Sequence, residues 1–136
     1  MLLTLVTPEK KLLTGTEIDE ILVPGSKGQL DILPGHAPLV STLTTGVLQY
    51  KEKGQSNFKA VVISWGYLEV TPTGVMVLAE TAEKPEDLEA ERVEEALKRA
   101  ETKLKEGLNV GEIVKYQRKH QRASARLELL KNYSKN

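Results

Sequence analysis

Cysteine is absent from the 136 residues, which excludes a disulfide framework, a thiolate metal site and a thiol nucleophile. Aromatic residues make up only 4% of the chain, and neither sign of charge prevails, with 19 Lys+Arg against 19 Asp+Glu. A general nucleic-acid binder is normally basic overall and offers aromatic stacking platforms, so this balance argues against one. Long hydrophobic runs are missing as well. Runs such as Ala60-Val61-Val62-Ile63 fall far short of the roughly 20 residues a membrane helix needs. Met1-Leu2-Leu3-Thr4 has neither the basic start nor the apolar core of a signal peptide. The expectation is a soluble intracellular protein with no direct membrane insertion.

Chemistry-bearing motifs are equally scarce. There is no Gly-x-Ser-x-Gly elbow, P-loop, Gly-rich dinucleotide loop or His-Glu-x-x-His. The two histidines, His36 and His120, lie in different segments and do not suggest a metal site. His36, in Leu33-Pro34-Gly35-His36-Ala37-Pro38-Leu39, is expected to fix a loop by hydrogen bonding. Asp19-Glu20 and Glu94-Glu95 are adjacent in sequence, so their carboxylates diverge into solvent. An independent enzyme, a metal centre and a required cofactor all go unsupported. What is present is 40% hydrophobic content, a folding composition for one domain or two small ones.

The chain changes character near Glu83-Lys84-Pro85. All six prolines, eight of the ten glycines and all threonines but Thr102 precede residue 86. Seven short strands are predicted there: Leu2–Val6, Thr16–Val23, Gly28–Ile32, Val47–Lys51, Asn57–Ile63, Tyr67–Thr71 and Val75–Ala79. Lys51–Gln55 and Pro72-Thr73-Gly74 read as hairpin connections in which glycine supplies a positive φ. Ala60–Ile63 does not alternate, which predicts a strand buried on both faces.

Beyond residue 85, Ala, Glu, Lys, Arg and Leu dominate and favour helix. Pro85 suits a first turn, with Glu86, Asp87 and Glu89 at the positive dipole end. Val93, Ala96, Leu97, Ala100 and Leu104 form one apolar stripe, and Ile113, Tyr116, Ala123, Leu127 and Leu130 a second beginning after Glu112. Gly107–Gly111 separates them, predicting an antiparallel pair. The reading is a mainly β sandwich or barrel, residues 1–84, followed by an antiparallel α-helical hairpin, residues 85–136. The stripes are thin and Ala-rich, so the hairpin is expected to depend on docking and to be able to exchange partners.

Charge is uneven along the chain. Residues 1–85 sum to −2 and 86–111 to −3, whereas 112–136 carry seven basic residues against Glu112 and Glu128, or +5. Arg118, Lys119, Arg122 and Arg126 follow one another at helical steps, which suits an acidic protein surface. A nucleic-acid-binding module using this basic helix is the competing reading, opposed by the lack of an aromatic cluster within it.

Gly28-Gln29-Leu30-Asp31-Ile32-Leu33-Pro34-Gly35-His36-Ala37-Pro38-Leu39 resembles the hallmark loop of the epsilon-subunit family of F-type ATP synthases. Thr45-Gly46-Val47, Gly66-Tyr67-Leu68-Glu69-Val70 and Val75–Glu83 follow at the family's spacing, so the resemblance covers essentially the whole chain. It departs from the family at Trp65, where a second glycine is common, and at Asp31, where glycine is frequent.

The resemblance implies a non-catalytic central-stalk rotor subunit of a proton- or sodium-translocating ATP synthase, peripheral at the cytoplasmic face of a bacterial inner membrane. Its partners would be the gamma subunit, the c-ring and the alpha/beta catalytic subunits, with no nucleic acid. Gly28, Gln29, Leu30, Asp31, His36, Pro38, Trp65 and Tyr67 are the implied c-ring or gamma contacts. The hairpin would lie on the sandwich when folded. Extended, it would restrain ATP hydrolysis, with Arg118, Lys119, Arg122 and Arg126 facing carboxylates of a beta subunit. Some members of the family bind ATP as a regulatory ligand through an Ile/Leu-Asp-x-x-Arg-Ala signature. Here that stretch reads Leu88-Glu89-Ala90-Glu91-Arg92-Val93, and Glu83, Leu88, Glu89, Arg92, Arg99, Arg122 and Arg126 occupy the corresponding positions.

Overall fold

The computed structural model describes residues 1–133. Seven strands come first: β1 (Leu2–Val6), β2 (Lys11–Gly25), β3 (Gly28–Ile32), β4 (Leu39–Leu43), β5 (Gly46–Glu52), β6 (Lys59–Thr71) and β7 (Gly74–Glu83). A single 3-10 turn at Pro85–Asp87 then leads to helices α1 (Ala90–Leu104) and α2 (Val110–Asn132). Lys135, counted above among the basic residues, lies outside the described residues.

The two long strands change partners along their length. The first half of β2 pairs with β1, and the second half with β3 and β5. In β6, Lys59–Ile63 pair with β5 and Gly66–Leu43 is the first rung of its pairing with β4. β1 closes the structure by running parallel to β7. The result is a flattened β sandwich whose layers share bent strands, filled by Leu3, Leu5, Ile18, Ile21, Ile32, Leu48, Ile63 and Leu68, each fully buried.

Asn57–Ile63 and Tyr67–Thr71, expected as two strands, are one strand bent at Trp65, and β4 was not foreseen. Leu39–Leu43 follows the Pro-rich loop directly and lacks the clean alternation that would have marked it. At the bend the inward alternation shifts by one residue. Val61 and Ile63 belong to the core on one side, Leu68 and Val70 on the other, and on β7 Ala82 gives way to Ala79 and Val77. Ser64 is buried there with its hydroxyl 2.6 Å from that of Thr81. Gly66 permits the close strand approach: a Cβ at this position would lie 1.9 Å from the Leu78 carbonyl oxygen.

Gly54 has φ +79° in the β5–β6 connection, as a tight turn requires. Gly74 differs from expectation. Its φ is not positive, and the constraint is instead β1, since a Cβ would sit 2.1 Å from the Leu2 carbonyl oxygen.

Ala60–Ile63 is buried on both faces: Val61 and Ile63 point into the sandwich, while Ala60 and Val62 lie beneath the helices. This second, smaller cluster joins Ala60, Val62, Leu88, Val93, Ala125 and Leu129, and shares no buried residue with the sandwich core. Helix α2 begins two residues earlier than the expected Glu112. Asn109 caps it, its Oδ1 accepting from the Glu112 N–H at 2.9 Å while its Nδ2 donates to Glu112 Oε1 at 2.7 Å.

Candidate functional site

The seam between α2 and the sandwich brings most of the unusual side chains together. Helix α2 runs antiparallel to β6, with Leu129 over the Ala60–Val62 end and Arg118 near the bend at Trp65. Between them, Arg126 Nε donates to Glu83 Oε1 at 2.7 Å, and Arg118 Nη2 to Glu80 Oε2 at 3.3 Å. Arg118 also stacks on Trp65, its guanidinium carbon 3.9 Å from the ring centroid, and that of Arg122 is 5.5 Å away. The Arg122 Nε is buried and has no hydrogen-bond partner.

Arg118, Arg122 and Arg126 lie four residues apart, so they occupy one face of the helix, and that face is turned to the sandwich. Of the expected stripe, Tyr116 and Ala123 border the cleft with α1, while Leu127 and Leu130 pack against the cluster beneath the helices. The buried pair within that cluster, Ala125 and Leu129, lies off the stripe and was not expected. Lys119 lies off the arginine face, its ammonium 5.4 Å from the Tyr116 ring. His120 Nε2 is 3.5 Å from Glu101 Oε1 on α1.

Between the helices is a cleft of about 400 Å³ lined by Ala96, Arg99, Ala100, Lys103, Tyr116, Lys119, Arg122, Ala123 and Arg126. Of the residues matching the nucleotide signature, Arg99, Arg122 and Arg126 converge here, and Glu83 reaches the edge through Arg126. Arg92 and Glu89 do not line the cleft. They pair with each other at 3.3 Å in solvent, while Leu88 is buried in the apolar cluster beneath the helices. The cleft thus holds five cationic side chains on small-residue walls, a setting suited to phosphate groups.

The loop residues lie elsewhere. Gly28, with φ +125°, turns β2 into β3 and leaves Gln29 and Asp31 exposed, with Leu30 packed against the sandwich core. Asp31 shares a hydrogen bond with Glu20 on β2, which raises its carboxyl above the usual range, with burial and the Glu20 charge adding to the effect. Glu20 is correspondingly lowered, by the Asp31 hydrogen bond and then by Lys51, whose ammonium lies 3.2 Å away. His36 closes a turn begun by Leu33, its N–H donating to the Leu33 carbonyl at 3.0 Å, with Gly35 at φ +87°. Its ring Nδ1 donates to the Ala37 carbonyl at 2.7 Å, and Pro38 follows, exposed. Tyr67 is 44% exposed and shares an outward sheet face with Val40 and Met76, which are 67% and 39% exposed. Trp65, by contrast, meets α2.

The family model described as "ATP synthase, Delta/Epsilon chain, beta-sandwich domain" matches residues 1–85. The chain is similar to an ATP synthase epsilon chain of Bdellovibrio bacteriovorus, 46% identical over 129 residues that cover 94% of this chain and 92% of that one. It is also similar to one of Geobacter metallireducens, 48% identical over 101 residues covering 74% and 71%. Among solved structures, a chain in the Euglena gracilis mitochondrial ATP synthase (OSCP/F1/c-ring, rotational state 1) superposes with a TM-score of 0.83 over 92% of this chain and 78% of that one. At 23% identity this likeness establishes the shared fold.

Proposed function

The chain belongs to the ATP synthase epsilon family, and from that premise we propose that it is a non-catalytic rotor subunit whose helical hairpin is a regulatory arm. The sandwich transmits rotation between the c-ring and the catalytic head through gamma. The arm, when released and extended, restrains ATP hydrolysis. Among the described residues no helix is long and apolar enough to cross a membrane, which fits a peripheral position on the cytoplasmic face of a bacterial inner membrane, held by partner subunits.

The observation that carries this reading is the way the arm is attached. It is seated by a small apolar cluster separate from the sandwich core, and by arginines that already have carboxylate partners in Glu80 and Glu83. An arginine face that leaves one set of carboxylates for another, at the base of a catalytic beta subunit, exchanges ion pairs of comparable strength. Such an exchange keeps two positions of the arm close in free energy, as a switch requires. Lys119, off this face and on the cleft wall in the folded arm, adds a further contact in the extended position.

The exposed face carrying Val40, Tyr67 and Met76 around Glu69 offers apolar side chains and one carboxylate to gamma. The Gly28–Asp31 turn, with His36 and Pro38 in the following loop, supplies polar and turn-shaped contacts for the c-ring and gamma. ATP acts as a regulatory ligand in the cationic cleft, where it would favour the folded arm.

The test is a double substitution, Arg122→Ala with Arg126→Ala, in the assembled ATP synthase. Hydrolysis should rise from its latent level while ATP-driven ion pumping per ATP stays unchanged. Unaltered latency would defeat the proposal.

A further inference from the structure

Trp65 has a backbone conformation that its side chain does not favour. Its φ is +25°, and it is the one non-glycine residue with positive φ among those described. A bulky L-residue is strained there, whereas glycine is not. The residue sits at the corner where β6 and β7 exchange inward faces, and the rung it would form with Glu80 is missing from an otherwise continuous ladder. The sandwich core does not need the indole, which is absent from the core cluster. What the ring touches is α2: Arg118 at 3.9 Å and Arg122 at 5.5 Å, with Arg118 also held by Glu80 from the strand opposite.

Resting on the reading of the hairpin as a mobile arm, we propose that Trp65 is the latch that holds the arm folded. Two arginines one helical turn apart present their guanidinium groups to the same ring, so the helix cannot leave without unstacking both. The sandwich carries the backbone strain at the corner in order to present the ring. Arg122 makes the latch more demanding of position. Its Nε is buried without a hydrogen-bond partner, so its place in the seam rests on stacking and on the cleft, not on a carboxylate. Trp65 is also the single tryptophan of the chain, so its fluorescence reports the state of the latch without labelling.

The experiment is amide hydrogen exchange of the full chain, peptide by peptide, for the unmodified protein and for Trp65→Ala, Trp65→Gly and Trp65→Phe. In the unmodified protein α2 should exchange faster than β6, because the arm opens on its own. Trp65→Ala should accelerate exchange of α2 by about tenfold, the effect expected of a partly desolvated cation–π contact. Trp65→Phe, with a weaker ring face, should fall between the two. Trp65→Gly should release α2 as Trp65→Ala does, yet its sandwich amides should exchange more slowly than those of Trp65→Ala, because only glycine relieves the positive φ. Arg118→Ala should shift Trp65 emission to the red and increase its quenching by acrylamide.

Unchanged α2 exchange in both Trp65→Ala and Trp65→Gly would overturn the latch while leaving the mobile arm standing. Equal acceleration of α2 and sandwich would show that the ring belongs to the body's fold and would also overturn it. A common rate for α2 and β6 in the unmodified protein would overturn the mobile arm itself, and the latch with it.

Discussion

Arg126 and Glu83 meet with Nε donating to Oε1 at 2.7 Å, each side chain only 25% exposed, and this pair ties α2 to the last residue of the final strand. It is the better shielded of the two ion pairs on the arginine face, since Arg118 and Glu80 are each about half exposed. Glu83→Gln should therefore loosen the arm more than Glu80→Gln, by about 1 kcal/mol. A double-mutant cycle with Arg126→Gln, read from α2 exchange, isolates the coupling. A coupling indistinguishable from zero would mean that the apolar cluster alone seats the helix.

Separate cores predict separable losses. Leu129 is fully buried in the small cluster with Ala60 and Val62, and Ile63, next in sequence to Val62, is fully buried in the sandwich. Truncating either to alanine removes about 2–5 kcal/mol of local packing. For Leu129→Ala the loss should fall on the arm. α2 becomes exchange-labile and protease-sensitive while the near-ultraviolet signal of sandwich tyrosines and the main thermal transition are retained. For Ile63→Ala the main transition itself should drop. If Leu129→Ala lowers the main transition as much as Ile63→Ala does, the two clusters unfold as one.

The division into a strand body and a helical pair was legible because Pro, Gly and Thr end together near Pro85, and because the two stripes have helical spacing. The doubly buried run Ala60–Ile63 was legible for the same reason: its lack of alternation reflects a core on one side and α2 on the other. The face of α2 that meets the sandwich was not legible. Its outer positions are arginines, which pattern reading assigns to solvent, and the apolar residues that pack there, Ala125, Leu127, Leu129 and Leu130, do not make a single helical stripe. The bend at Trp65 was hidden too. A positive φ at a tryptophan leaves no compositional mark, and the shift of inward alternation needs the β7 register to be seen. The basic side chains at 118, 122 and 126 were expected to face an acidic surface of another protein; in the folded arm Arg118 and Arg126 pair with carboxylates of their own chain, and Arg122 stacks on Trp65. What the sequence could not supply is that Glu80 and Glu83 of the same chain stand beneath them.

The carboxylate pair at the β2–β3 end predicts a pH effect. Asp31 is raised in the folded chain, so its protonated form is favoured by folding. That contribution is full at low pH and is lost as pH rises through the folded value. Glu20 is lowered, so its contribution is full above the unfolded value and is lost as pH falls through the folded one. The hydrogen bond from protonated Asp31 to ionised Glu20 is therefore best satisfied within the carboxylate range, and at neutral pH two like charges face each other, with Lys51 compensating on the Glu20 side. Asp31→Asn keeps a donor and removes a charge. Its urea midpoint should exceed that of the unmodified chain at pH 7, and the gap should close as pH falls through the carboxylate range. A gap that is constant from neutral to acid would show that the pair contributes nothing to folding.

The cleft between the helices makes a prediction about nucleotide. Its volume of about 400 Å³ and its five cationic side chains suit a nucleoside triphosphate. Glu89, which stands where the signature has the shorter aspartate, pairs here with Arg92 outside the cleft. The cations that could meet phosphates thus line the cleft, whereas Glu89 and Arg92 of the signature lie outside it. A ligand that binds only the folded arm stabilises it by about 2.7 kcal/mol at a concentration 100 times its Kd, and millimolar Mg-ATP should slow α2 exchange measurably in the full chain. Arg99→Ala, which removes a cation from the α1 wall without touching the Trp65 and Glu83 contacts, should abolish that slowing. Tripolyphosphate at equal ionic strength separates the two components of recognition. If it protects α2 as well as ATP does, the cleft reads charge alone; no protection and no calorimetric heat with ATP would remove the nucleotide from the mechanism of the arm.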